Sequence, residues 1–141
     1  PADLSESAIE DLCVQIMDTK NSAGLRISIM PRTLHIPTAE AFNAERILNS
    51  VQQSGSAQND INAIRSMSAI PGGPKVNHYF TSTSAWFIRT NAPRGMTHFE
   101  REGYSFAQDN DFDTDNAKAK FYERYSGGWT DWRGVFGSIG V

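Results

Sequence analysis

The sequence has little cysteine, no long apolar run and no excess of positive charge, and each shortage excludes a class of protein. The single cysteine, Cys13, cannot form a disulfide within the chain, and no Cys/His spacing indicates zinc. No apolar run approaches the roughly 18 residues that a membrane span needs. The net charge of −3 gives no overall basic field of the kind that nucleic-acid-binding proteins use. We therefore expect no membrane partner, no sequence-specific nucleic-acid partner, no metal and no cofactor.

Motifs of catalysis are also missing. There is no G-x-S-x-G nucleophile motif. The glycines of "PGGP" at 71–74 precede a predicted strand rather than a helix, so they do not form a phosphate-binding loop. His35, His78 and His98 lie on separate segments without metal-ligand spacing. We expect no catalytic residues and no enzymatic activity.

The composition is that of a folded globular protein. The 141 residues are 39% hydrophobic and 11% aromatic, which suffices for one domain with a core. The N-terminal stretch "PADLSESAIE" lacks the pattern of a signal peptide. Because it also lacks an initiator Met, we expect the chain to be one piece of a longer polypeptide.

Apolar spacing predicts two helices. The first has a buried face of period 3.6 and a capping box formed by Ser7 and Glu10. The second is predicted over 39–50 with Thr38 as its N-cap. The predicted inner face of the first helix is Ile9, Leu12, Cys13, Ile16 and Met17, and that of the second is Phe42, Ile47, Leu48 and Val51. Residues 52–60, "QQSGSAQND", are polar and predict an exposed loop.

The remaining segments predict strands. Leu25, Ile27 and Ile29 alternate with polar residues, and after Pro31 the same period resumes at Leu34 and Ile36. Further strand-like segments are "NHYF", "AWFIR", 96–108 and 117–125. The pattern as a whole predicts an α+β fold in which two helices pack on a mainly antiparallel sheet.

Aromatic side chains concentrate near the C-terminus. They are Phe121, Tyr122, Tyr125, Trp129, Trp132 and Phe136. Because each can bury roughly 150 to 250 Å², we expect most of them in the core and a few against a partner subunit. Trp129 in particular is expected to be buried, so that its replacement by Ala would cost roughly 3 to 5 kcal/mol.

The run "DNDFDTDN" at 109–116 carries four carboxylates, Asp109, Asp111, Asp113 and Asp115. An EF-hand loop needs Gly at its sixth position and Glu at its twelfth. A loop that starts at Asp109 or at Asp111 has neither residue at those positions. A solvated or partner-facing acidic turn is therefore favoured over a calcium site. A small acidic calcium- or protein-binding module remains the alternative class, and a hydrolase with an unrecognised site is a third.

The order of several segments resembles the tailed-bacteriophage major capsid proteins, which share the capsid fold first seen in the Hong Kong lambdoid phage. "PRTLHIPTAEAFNAERILNS" resembles the family's strand, turn and helix, and "NHYFTSTSAWFIRTNAPRG" resembles its middle strands. "FEREG", an acidic turn, "AKAKFYERY" and "DWRGVFG" resemble its closing hairpin and final strand. No single motif is unique to the family, so the likeness depends on the order of the pieces.

The resemblance implies a structural subunit of an icosahedral shell that encloses a DNA genome. It implies localisation in the virion, assembly in the host cytoplasm, and other copies of the chain as partners. Scaffold, portal and decoration proteins are further candidates. By this analogy residues 1–24 end the peripheral domain, 25–95 are mainly axial, and 96–141 form a return hairpin and final strand shared by both domains.

The chain departs from the family pattern because it has no obvious spine helix, N-terminal arm or extended loop. The resemblance therefore implies a C-terminal portion of a capsid protein. Some relatives are cross-linked through a Lys–Asn isopeptide bond assisted by a Glu. Asn116 and Glu123 are the positions that would correspond, while the Lys would belong to the missing loop.

The charges around the acidic run predict a contact between subunits. The four Asp residues would crowd the tip of the hairpin, while Lys118, Lys120 and Arg124 share one face of the strand that follows. We expect the acidic tip of one subunit to meet a basic stripe or an Arg on the next copy.

Overall fold

The computed structural model describes residues 2–53, 60–110, 113 and 116–140, and its core lies between a helical layer and one face of a sheet. The sheet consists of β1 (Pro31–Ile36), β2 (Pro74–Val76), β3 (Trp86–Thr90) and β6 (Val135–Ser138). Its order is β2-β1-β3-β6, with β1 parallel to β2 and the other pairs antiparallel. The α+β class and the mainly antiparallel pairing predicted from the sequence are confirmed.

The first helix, α1 (Glu6–Met17), buries Ile9, Cys13 and Ile16. Leu12 packs partly against the same core, whereas Met17 is exposed. The predicted capping box is wrong, because Ser5 is the N-cap and its hydroxyl accepts from Ala8 N at 3.2 Å. The capping serine therefore lies two residues earlier than the spacing suggested.

The second helix, α2 (Ala41–Asn49), follows a 3-10 turn over Thr38–Glu40. Glu40 is at the N-cap position, so the predicted cap at Thr38 is wrong. The helix buries Ala44 and Leu48, which are one turn apart. Phe42 and Val51 were predicted to face inward, but they are 78% and 70% exposed. The helix packs through the small residue Ala44, so the face that carries Phe42 points away from the core.

Two segments predicted as strands take other conformations. Residues 25–30 form no strand, and Lys20 and Arg26 make only an isolated bridge. "NHYF" follows β2 and forms a turn instead of a strand. The Asn77 side chain accepts a hydrogen bond from Tyr79 N at 2.9 Å, which turns the chain. The tip of the predicted 52–60 loop, residues 54–59, lies outside the described residues.

The sheet and helices share one core. It includes Leu34 and Ile36 of β1 and Trp86 and Ile88 of β3, packed against Ile9 and Ile16 of α1. Cys13 lies in the same cluster, and its burial, with a further contribution from Glu10, raises the pKa of its thiol to about 11. This agrees with the inert, buried thiol that the helix pattern predicts.

A buried asparagine joins the helices. Asn62 is 1% exposed and precedes a short helix, α3 (Ala63–Ser66). Its amide donates to Ile47 O at 2.6 Å and to Ser50 Oγ at 2.9 Å, and its Oδ1 accepts from Arg65 N at 3.2 Å. One side chain therefore caps α3 and satisfies a carbonyl in the last turn of α2.

We expect Asn62→Ala to lower the free energy of unfolding by about 2 to 4 kcal/mol, because it removes a helix cap and leaves a part-buried carbonyl without its donor. Urea denaturation measures the loss. Asn49→Ala is the control, since that exposed side chain bonds, among the described residues, to Glu45 on its own helix, and it should stay within about 0.5 kcal/mol of the parent. Equal losses of unfolding free energy in both variants would show that the hydrogen bonds of Asn62 stabilise the fold no more than an exposed Asn does.

Candidate subunit interface

A long β-hairpin stands apart from the core. It consists of β4 (Met96–Asn110) and β5 (Ala117–Trp129), which form their own two-stranded sheet. At about 3.4 Å per residue, β4 extends about 50 Å. At its base the backbones of Gly95 and Gly134 touch, because a Cβ added to Gly95 would lie 2.5 Å from Gly134 Cα. The hairpin strands predicted at 96–108 and 117–125 are confirmed, and both are longer than predicted.

The hairpin has an apolar face, here called the aromatic face. Alternation along β5 places Phe121, Tyr125 and Trp129 on one side. Partners from β4 join them, because Phe106 lies opposite Phe121 and the Tyr104 ring lies 4.6 Å from that of Phe121. The exposed members of this face are Met96, Tyr104, Phe106, Phe121, Tyr125 and Trp129. Two-stranded sheets are marginal alone, so such a face calls for a covering partner.

The expectation that the aromatic cluster is mostly core is therefore wrong for this chain. Trp129 is 78% exposed and Trp132 is 60% exposed, while Phe136 is the member that packs against the core. The reason is architectural, because β4 and β5 pair with each other and not with the four-stranded sheet. The buried tryptophan is Trp86, at 1% exposure.

The opposite face of the hairpin carries the basic residues of β5. Lys118, Lys120 and Arg124 share it, as the sequence predicted, and the Lys120 ammonium lies 5.8 Å from the Tyr122 ring. Asp109 lies directly opposite Lys118 in the ladder, and Glu102 lies opposite Arg124. Opposite charges therefore already neighbour one another within a single hairpin, which the sequence reasoning did not foresee.

The acidic run is only partly described. Asp109 belongs to β4 and Asp113 is exposed in the turn, whereas Asp111 and Asp115 lie outside the described residues. Asn116 and Glu123, the positions considered for a cross-link, are both exposed. Among the residues that the structure describes, no three His, Cys, Asp or Glu side chains are grouped so as to hold a metal ion.

A groove lies on the sheet face that points away from the helices. Phe87 and Arg89 of β3 alternate with the buried Trp86 and Ile88, so they point to this second face. The groove encloses about 580 Å³. Its walls include His35, Phe80, Phe87, Arg89, Met96, Trp129, Asp131, Trp132 and Val135. Because Met96 and Trp129 form the first pair of the hairpin, the groove is continuous with the aromatic face.

The groove lining carries one cation, Arg89, and one carboxylate, Asp131, and Lys75 lies beside His35 in the neighbouring strand. Burial lowers the pKa of His35, and the neighbouring Arg89 and Lys75 lower it further. The carboxylate at the rim, Asp131, is held by Arg133, whose Nη1 lies 3.1 Å from Asp131 Oδ1. The hydrogen bond from the Arg133 backbone N–H is the main reason that the pKa of Asp131 is lowered. No ion pair to Arg89 is found within the described ranges, and its side chain is exposed.

Sequence reasoning missed this groove because its walls come from five separate places in the chain. His35 was singled out only as a metal-ligand candidate, and it instead bonds Thr33 Oγ1 at 3.1 Å. The one available signal was the alternation in "AWFIR", which puts Phe87 and Arg89 on the face opposite Trp86. That pattern indicates a two-sided strand but does not reveal what covers the second side.

Comparison with known proteins gives one match. The family model described as "Phage capsid protein" matches residues 2–138, nearly the whole chain. No curated protein and no solved structure matches the sequence. Within the described residues, no helix is long and apolar enough to cross a membrane.

Proposed function

We propose, from the premise that this chain belongs to the phage capsid protein family, that the β4–β5 hairpin is the element through which neighbouring copies contact one another in the shell. The role of the protein is structural, as a component of a bacteriophage capsid. Membership of a capsid family implies assembly with other copies of the same chain and a place in the virion.

The exposure of the hairpin is the observation that carries the proposal. Its aromatic face presents at least six large apolar or aromatic side chains to solvent, which is unusual for a protein that stays monomeric. A heavily repeated contact can use such a face without high affinity at each copy. Burial of this face in the shell supplies the covering layer that the hairpin lacks in the single chain.

The charged residues of the hairpin complete the proposed contact. These are Asp109, Asp111, Asp113 and Asp115 near the tip, and Lys118, Lys120 and Arg124 on the charged face of β5. Contacts of this kind fix register between subunits more than they add affinity. The carboxylates of the tip are proposed to meet cationic side chains of the next copy.

The proposed fold, domain bounds and shell type also rest on membership of the capsid family. The chain is proposed to adopt the tailed-phage capsid fold, with 1–24 ending the peripheral domain, 25–95 mainly axial, and 96–141 forming the hairpin and final strand. Its shell is proposed to be icosahedral, to enclose DNA without reading its sequence, and to assemble in the host cytoplasm without enzymatic activity. Scaffold, portal and decoration proteins are the further partners that such a shell would use.

Electron microscopy of the protein expressed from its complete gene tests the proposal. We expect closed shells of uniform diameter, alone or with the neighbouring genes of its source. A matched sample carrying Tyr104→Ser and Phe121→Ser should stay soluble but yield fewer shells, because it removes the best-packed ring pair of the aromatic face. Soluble monomer under every condition would leave the shell role without support. Normal shells from the double variant would show that the aromatic face is not part of the contact between copies.

A further inference from the structure

The groove at the base of the hairpin combines an apolar floor with an exposed cation, Arg89, at its rim. Phe87, Trp129 and Trp132 supply the aromatic surface, and the volume of about 580 Å³ falls within the range of ordinary ligand sites. Arg89 is exposed, and Lys75 lies close enough for its charge to act on His35. A matching occupant would insert one large apolar side chain and place carboxylates around it.

One segment of this chain has that chemistry. In "DNDFDTDN" a single aromatic residue, Phe112, lies between two aspartates on each side within four residues. Its flanking carboxylates are opposite in charge to Arg89 and Lys75, and the Phe ring is aromatic like the floor of the groove.

We propose that the groove of one subunit receives the acidic, Phe-bearing tip, residues 109–116, of a second copy of this chain. The proposal rests on the proposed shell function, and it adds the surface on which the tip docks. Phe112 would stack against Trp129 and Trp132, while the flanking carboxylates would approach Arg89.

The second copy is required by geometry. The groove includes Met96 and Trp129, the first pair of the hairpin, whereas the tip follows Asn110 at the other end of β4. Fourteen residues of extended strand separate Met96 from Asn110, which is about 45 Å. A hairpin paired from Asn110 back to Met96 cannot bring its own tip to its own groove.

The resulting contact is head-to-tail. Each copy gives one tip and receives one, so the two contacting surfaces differ, and such interfaces generate rings or open assemblies rather than isolated dimers. A closed shell can repeat this kind of contact. It predicts that a variant with an altered tip and a variant with an altered groove bind each other when mixed, through the intact surface of each.

Two single variants of the complete protein test the proposal. Phe112→Ser damages the tip and leaves the groove, and Arg89→Glu damages the groove and leaves the tip. Each should raise the concentration needed for assembly about tenfold or more, the effect of losing one buried anchor. Arg46→Glu, the same charge change on an exposed position of α2, is the control and should assemble like the parent.

Mixing the two variants decides whether the contact is head-to-tail. The intact tip of the Arg89→Glu chain should enter the intact groove of the Phe112→Ser chain, so sedimentation of the mixture should show one-to-one complexes that neither variant forms alone. A mixture that contains only the species of its components overturns the proposal. Assembly of either single variant at the parent's concentration overturns it as well.

A peptide measurement avoids dependence on assembly. The synthetic peptide of residues 107–118, AQDNDFDTDNAK, is titrated into the Phe112→Ser protein while tryptophan fluorescence is followed. We expect a saturable change with a Kd of about 1 mM or tighter, lost for a peptide with Ser at position 112 and for a protein that also carries Arg89→Glu. Absence of saturation with the unaltered peptide sinks the docking proposal. If the parent protein still forms shells in that case, the capsid function stands and only the tip-to-groove contact fails.

Discussion

Replacing Trp86 by Ala should lower the free energy of unfolding by about 3 to 5 kcal/mol, the usual cost of deleting a buried aromatic side chain. Trp86 is 1% exposed and lies in the main core cluster. Its indole Nε1 donates to Ala2 O at 3.0 Å, and Ala2 N in turn donates to Ser138 Oγ at 2.8 Å. The substitution would therefore open a cavity and remove one of the hydrogen bonds that hold the N-terminal segment at the sheet edge.

Trp129→Ala is the matched control. Because Trp129 is 78% exposed, its loss should change the stability of the single subunit by no more than about 0.5 kcal/mol. Denaturant melts of both variants make the comparison, and Trp86→Phe, which keeps the ring but removes the N–H, should lose about 1 kcal/mol for the hydrogen bond in addition to a smaller packing loss. A large loss at position 129 and a small one at 86 would reverse the assignment of core and surface.

Neutralising the tip should impair assembly without unfolding the subunit. We expect the protein with Asn at 109, 111, 113 and 115 to need at least about tenfold more protein to form shells, because several weak charge contacts are lost from every copy at once. Assembly of the parent should also weaken with salt, since the screening length falls from about 10 Å at 0.1 M to about 3 Å at 1 M. The tetra-Asn variant should respond less to salt than the parent does.

The control for this experiment carries the same change in net charge on the two helices. It replaces Glu10, Asp11 and Glu45 on the helices and Asp18, the C-cap of α1, by the corresponding amides, leaving the hairpin intact. The ion pair of Asp18 with Arg26 is exposed on both sides, so its loss should cost little. Light scattering against protein concentration, at low and high salt, compares the three proteins. Equal impairment of both variants would mean that net charge alone matters, and normal assembly of the tip variant at both salt concentrations would make the acidic tip a solvated turn.

Local pattern determined much of this protein without help from the fold. The period of 3.6 in 9–17 predicted α1 and the burial of Cys13, because the apolar stripe of an amphipathic helix tends to face the core. The two strands of the hairpin and the shared face of Lys118, Lys120 and Arg124 on β5 followed from a period of two. The order of the segments also sufficed to indicate the capsid family, which the match over residues 2–138 confirms.

The tertiary structure decided which apolar side chains are covered. Phe42 and Trp129 look like core residues in a helix and a strand, yet both are exposed, whereas Trp86 is buried. Hydrophobicity measures how much a side chain gains from burial, but only the arrangement of layers determines whether a partner surface is present. The groove exists for the same reason, since Phe87, Trp129 and Trp132 meet only when β3, the end of the hairpin and the final turn are brought together. Phe87 is more than forty positions from either tryptophan, and no local period encodes their place in one groove.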